Sequence, residues 1–108
     1  MLYELRSYTV HPGRMPALLA RFRTVTSKLF EKHGIQNVGY WTNVVGGRND
    51  EMLYILAFED MAHRDRAWSA FQSDPEWIRE RAASEQDGPI VAYVENRFMA
   101  PTDFSPLR

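Results

Sequence analysis

Apolar and polar positions alternate from the start of the chain. Over Leu2–Val10 (LYELRSYTV) the period is two, and the segment is rich in Tyr, Thr and Val, which predicts a strand. His11-Pro12-Gly13 breaks it. The period then changes: Met15, Leu18, Leu19, Phe22, Val25 and Leu29 recur at steps of three and four, predicting a helix of about five turns with one apolar stripe. Gly34 closes this helix as a left-handed cap, with Lys32 and His33 beside its negative pole. Ile35–Val45 and Glu51–Glu59 read as strands joined by the loop Gly46–Asp50 (GGRND). Asp60 suits the N-cap of a helix carrying Trp68 and Phe71. Ser73-Asp74-Pro75 interrupts that helix. Pro75 then opens a shorter one, PEWIRERAASEQ, capped by Asp74. Asp87-Gly88-Pro89 stops it, Ile90–Met99 is the last strand, and the tail PTDFSPLR packs only in part.

The order is strand, helix, strand, strand, helix pair, strand. This is the split βαβ, ferredoxin-like βαββαβ arrangement of the α+β class: a four-stranded antiparallel sheet with its helices on one face. No repeat, linker or low-complexity tract divides the 108 residues, so residues 1–108 read as one domain.

The third strand is apolar on both faces. Met52, Tyr54, Leu56 and Phe58 take one side; Leu53, Ile55 and Ala57 take the other. We expect Leu53, Ile55 and Ala57, with Leu5 of the first strand and Val94 and Phe98 of the last, to meet the helices. Tyr54, Leu56 and Phe58 would then share the open face with Glu4, Arg6, Tyr8, Tyr93, Glu95, Arg97 and Met99. Each large apolar side chain left in water forfeits about 1.5–3 kcal/mol. The economical cover is a second copy of the same sheet, giving a homodimeric barrel with an isologous interface. Opposite charges on that surface, Glu4 and Glu95 against Arg6 and Arg97, then require partners.

Composition narrows the function. Net charge is -1, without the basic stripe of a nucleic-acid binder. No run approaches the ~20 apolar residues of a membrane span. The absence of cysteine removes disulfides and thiolate chemistry and favours an intracellular, cytoplasmic location. The first ten residues have neither a signal-peptide nor a transit-peptide layout. His11, His33 and His63 form no HxxxH or HExxH spacing, so no metal is expected, and no motif implies a cofactor. GGRND is not a phosphate loop, because it lacks GxxxxGK[ST] and joins two strands.

Several stretches together are similar to the NIPSNAP family: ELRSYTVHPG, His33-Gly34, VGYWTNVVGGRNDEMLYILAFEDMAHR, Asp74–Trp77 (DPEW) and FMAPTDFSPL. They span nearly the whole chain in the family's order. The family pattern has a His and a Trp in the third strand, where this chain has Tyr54 and Leu56. The resemblance implies a dimeric α+β barrel, a fold shared with cofactor-independent quinol monooxygenases, haem-degrading monooxygenases and lactone isomerases. It implies no particular reaction.

The set with most chemical promise is Glu4, Arg6 and Tyr8, which share one face of the first strand. A desolvated Glu4 would act as a general base if its pKa were raised, and Arg6 would hold an anionic or enolic oxygen. Tyr40, Tyr54 and Tyr93, with Phe58, Glu95 and Arg97, are the expected lining for a small aromatic or enolic ligand between the sheets. The competing reading is an interfacial ion network with aromatic packing. Trp68 and Trp77 are expected as packing anchors, and Arg64 as the partner of a nearby carboxylate. The functional expectation is a homodimeric small-molecule binder. The alternative is a cofactor-independent monooxygenase or isomerase; whether the chain is an enzyme stays open.

Overall fold

The computed structural model describes residues 1–108. Strands β1 (Leu2–Val10), β2 (Gln36–Thr42), β3 (Glu51–Phe58) and β4 (Val91–Met99) form one antiparallel sheet in the order β2-β3-β1-β4. This is the α+β, ferredoxin-like arrangement: the two strands that each precede a helix, β1 and β3, lie in the middle. Helices pack on one side. They are α1 (Met15–Arg21), α2 (Ser27–Lys32), α3 (Met61–Gln72) and α4 (Pro75–Ser84).

The local signals act where the side chains predict. Asp60 accepts a hydrogen bond from the His63 N–H and starts α3. Asp74 accepts from the Glu76 N–H, with Pro75 in the first turn of α4. Gly34 takes φ +75° just beyond α2, a conformation that L side chains adopt rarely. β2 is shorter than expected: it ends at Thr42, and Val44 and Val45 stand almost fully exposed in the hairpin loop.

The first long helix is not uniform. A π-helical stretch, Phe22–Thr26, joins α1 to α2. The hydroxyl of Ser27 donates to the carbonyl of Phe22, five residues back, at 2.8 Å, and that of Thr26 to Arg21 at 3.4 Å. The wider turn admits one extra residue and rotates the helix beyond it. The buried line therefore runs through Leu18, Arg21, Phe22, Thr26, Leu29 and Phe30, with Val25 only partly buried. Phe30, absent from the stripe read at steps of three and four, is fully buried.

The faces of the two central strands are the reverse of the expectation. Met52, Tyr54, Leu56 and Phe58 are sealed beneath the helices in one cluster with Leu18, Phe22, Phe30 and Phe71. Glu4 and Arg6 are buried on the same side, and Tyr8 packs on Phe22. Leu5, Leu53 and Ile55 look outward and are half-buried. In β4 the expected side holds, because Phe98 pairs with Glu4 and Val94 with Tyr8, but both stay exposed at the sheet edge rather than entering the core. Alternation groups residues by face; it does not say which group the helices cover. The larger side chains of β3, Tyr54, Leu56 and Phe58, fill the space beneath the helices, and the register carries Glu4, Arg6 and Tyr8 in with them.

Candidate functional site

Glu4 sits at the centre of a buried polar cluster. Arg64, in the second turn of α3, clasps it side-on: Nε donates to Oε1 at 3.0 Å and Nη2 to Oε2 at 3.1 Å. Arg6 Nη1 donates to Oε2 at 2.8 Å, and Asn96 Nδ2, from β4, donates to the same oxygen at 2.9 Å. The carboxylate is completely buried. Burial alone would raise its pKa, but the hydrogen bonds from Arg64, Asn96 and Arg6 outweigh that and hold it below the usual value. The raised-pKa general base expected at Glu4 is therefore not what the geometry provides. This is an ionised anchor with its acceptor positions filled.

Arg6 carries the network onward. Its Nε donates to the Tyr54 hydroxyl at 2.7 Å and its Nη2 to the Tyr8 hydroxyl at 3.4 Å; the Tyr54 hydroxyl in turn donates to that of Tyr8 at 2.8 Å. Burial pushes the Tyr54 hydroxyl well above the usual tyrosine value, so it stays protonated. For Arg6, burial opposes the charge, but Tyr54, Tyr8 and Glu4 more than compensate and keep it cationic. The Trp68 ring is flanked by both guanidiniums, with Arg6 4.4 Å and Arg64 4.9 Å from its centroid.

Arg6 and Tyr8 reach a cleft between the sheet and α1 and α4. Its volume is about 330 Å³, and Arg21, Trp77, Arg81 and Glu85 also line it. That is the lower end of the range for small-molecule pockets. Arg21 is buried at the α1 end and donates through Nη1 to Ser84 Oγ and Glu85 Oε1, each at 3.2 Å. Burial pulls its pKa down, only partly offset by Glu85. Trp77 packs on Phe71 and lies 5.5 Å from the Arg21 guanidinium.

The residues expected to share one chamber are thus divided by the sheet. Glu4, Arg6, Tyr8 and Tyr54 come together on the helix side. Tyr40 joins them in part, stacking on Tyr54 at 5.2 Å with its hydroxyl bonded to Asn37; burial raises its pKa too. Phe58 is core, fully buried against the helices and edge-on to His63, and lines nothing. Tyr93, Glu95 and Arg97 point to the opposite, open face, although Tyr93 also reaches the rim of the cleft around the sheet edge. Sequence reasoning passed over Arg21, Arg81 and Asn96. Arg21 carried a readable signal: a charged residue three after Leu18 and directly before Phe22, inside the apolar stripe. Asn96 and Glu4, 92 positions apart, had none.

Four antiparallel strands under one layer of helices, with a buried carboxylate–guanidinium cluster beside a sheet–helix cleft, define an α+β ferredoxin-like domain with a polar pocket. The chain belongs to the NIPSNAP family, whose profile matches residues 3–106. Human Protein NipSnap homolog 3A is 34% identical over 83 residues, covering 71% of this chain but only 30% of that protein's length. The crystal structure of Atu4242 from Agrobacterium tumefaciens covers all of both chains with a TM-score of 0.87 at 29% identity. SnoaB from Streptomyces nogalater, a cofactor-independent oxygenase, superimposes with a TM-score of 0.61 over 97% of this chain at 14% identity; that likeness is one of fold. No helix is long and apolar enough to cross a membrane.

Proposed function

We propose that this NIPSNAP-family domain binds a small planar molecule in the cleft over Arg6 and Tyr8, and does so as a homodimer closed over the open sheet face. The observation that carries the binding reading is the cleft itself: an aromatic wall, Trp77 and Tyr8, faces an ordered polar floor that leads through Arg6 to Glu4. A surface arranged only for packing has no need of a guanidinium at the mouth of a pocket. Protein-observed NMR with 2-naphthol, a neutral planar phenol, tests it. The expected result is saturable shifts at the Trp77 indole and around Tyr8. Shifts at Trp41, on the open face, would put the ligand between sheets instead, and no saturable shift would end the reading.

The dimer is supported by the open face. Leu5, Leu53 and Ile55 form its half-buried centre, while Trp41 and Tyr93 are more than half exposed. Glu95 and Arg97 stand exposed two residues apart on β4, and none of the chain's ion pairs uses either. A two-fold axis passing between them would set Glu95 of one copy against Arg97 of the other, a pairing compatible with a self-complementary interface.

A second reading, a cofactor-independent monooxygenase or isomerase, draws on the Tyr8–Tyr54–Arg6 group. The Tyr8 hydroxyl accepts from Arg6 and Tyr54, which leaves its own hydrogen to stabilise an enolate oxygen at the cleft floor. Glu4 is saturated with donors, so that reading needs its proton acceptor elsewhere.

A further inference from the structure

We infer that the cleft takes an anion: a planar organic carboxylate whose charged end meets Arg21 and Arg81 and whose ring lies against Trp77 and Tyr8. This rests on the cleft being a ligand site and names the ligand's chemical class.

Charge balance points there first. Three guanidiniums, Arg6, Arg21 and Arg81, line the cleft against one carboxylate, Glu85, which Arg21 and Arg81 share. Arg6 is paired behind the cleft with Glu4, a carboxylate that Arg64 also holds. Asp65 lies 3.7 Å from Arg64 but well out in solvent. Arg6 and Arg21 are both buried, and excess charge in a poorly solvated place is costly unless an opposite charge joins it.

Hydrogen-bond capacity points the same way. An arginine grips a carboxylate best through two parallel N–H bonds. This chain uses the Nε–Nη2 edge for that purpose twice, from Arg64 to Glu4 and from Arg48 to Asp50. In Arg21 only Nη1 is engaged; Nη2 makes no hydrogen bond, while Nε is sealed from solvent without a partner, as is that of Arg14 outside the cleft, so an incoming carboxylate meets Arg21 through Nη2. An orphaned buried donor is uncommon and costly. Arg81, more than half exposed at the rim, gives the incoming anion a second cation.

Calorimetric titration of the intact chain with 2-naphthoate, 2-naphthamide and 2-naphthol tests this. Naphthoate is expected to bind at least about tenfold more tightly than the isosteric amide, the worth of a charge-assisted contact. Arg21→Met should abolish that advantage, read as the ratio of naphthoate to naphthamide affinity within the variant. Because Arg21 is buried and a variant there can fail to fold, Arg81→Gln serves as the second variant. It should lower the naphthoate-to-naphthamide affinity ratio about two- to fivefold, as expected of an exposed charge at the rim. If naphthol binds at Trp77 but naphthoate binds no better than the amide, the anion assignment falls and the ligand cleft stands. If none of the three binds up to millimolar concentration, both fall.

Discussion

At the scale of the residue, Glu4 decides most. It is fully buried and accepts from three side chains, one of them bidentate. Its carboxyl titrates below the 4.5 of a free glutamate because those donors outweigh burial. A group whose folded pKa is depressed stabilises the fold above its unfolded pKa and ceases to do so as pH drops through the folded one. Stability should therefore hold above about pH 4.5 and decline steadily below it. Glu4→Gln leaves Arg6 and Arg64 uncompensated side by side, which should cost about 3–5 kcal/mol at neutral pH. It should also flatten the acid decline. Urea midpoints measured between neutral pH and pH 3 check both; an unchanged acid slope in the variant would mean that other carboxylates govern it.

At the scale of the element, caps and periods do what the sequence implies, except where the helix widens. Gly34 is the sharpest case. At φ +75° a side chain is strained, while nothing collides with it: the nearest atom to an added Cβ, His63 Nε2 at 3.9 Å, is at ordinary van der Waals contact. Gly34→Ala should cost about 1–2 kcal/mol through backbone strain alone. Chemical denaturation reads that directly, and a neutral result would show that the turn relaxes. The π-helical stretch was not legible from apolar spacing. A step from Phe22 to Val25 and then Leu29 fits an α-helix as well as the real path through Thr26 to Phe30. The extra residue is accommodated by the hydroxyls of Thr26 and Ser27 answering carbonyls five residues back. Side-chain bonds to backbone of this kind compete with the regular ladder.

At the scale of the whole molecule, the decisive dimension is thickness. The chain measures 45 × 37 × 19 Å, and 19 Å leaves room for one sheet and one layer of helices. The far side of the sheet has only the tail for cover, where Pro101, Ser105 and Leu107 share a shallow groove with Tyr3, Ile55 and Met99. A second copy would cover the rest. Arg97→Glu sets two carboxylates against each other across the proposed axis and should yield monomers by light scattering. Glu95→Arg combined with Arg97→Glu restores opposite signs and should restore the dimer. A parent chain of single 12.6 kDa mass, or a double variant as monomeric as the single one, would remove the interface.

Order of elements, caps and turns, and the grouping of side chains by face were settled by the sequence alone, since each depends on neighbours within a few positions. So was the family, through motifs strung along nearly the whole chain. Which face the helices cover was a tertiary decision. It turned on the volumes of Tyr54, Leu56 and Phe58 against Leu53, Ile55 and Ala57, which alternation does not weigh, and the β1–β3 register carried Glu4, Arg6 and Tyr8 along with them. The same decision moved Glu4, Arg6 and Tyr8 from the open surface to the floor of a cleft. It also supplied partners that no spacing announces: Arg64 from a helix 60 residues away, and Asn96 from the opposite end of the chain. A carboxylate's chemistry is set by its surroundings, and for Glu4 those surroundings exist only after folding.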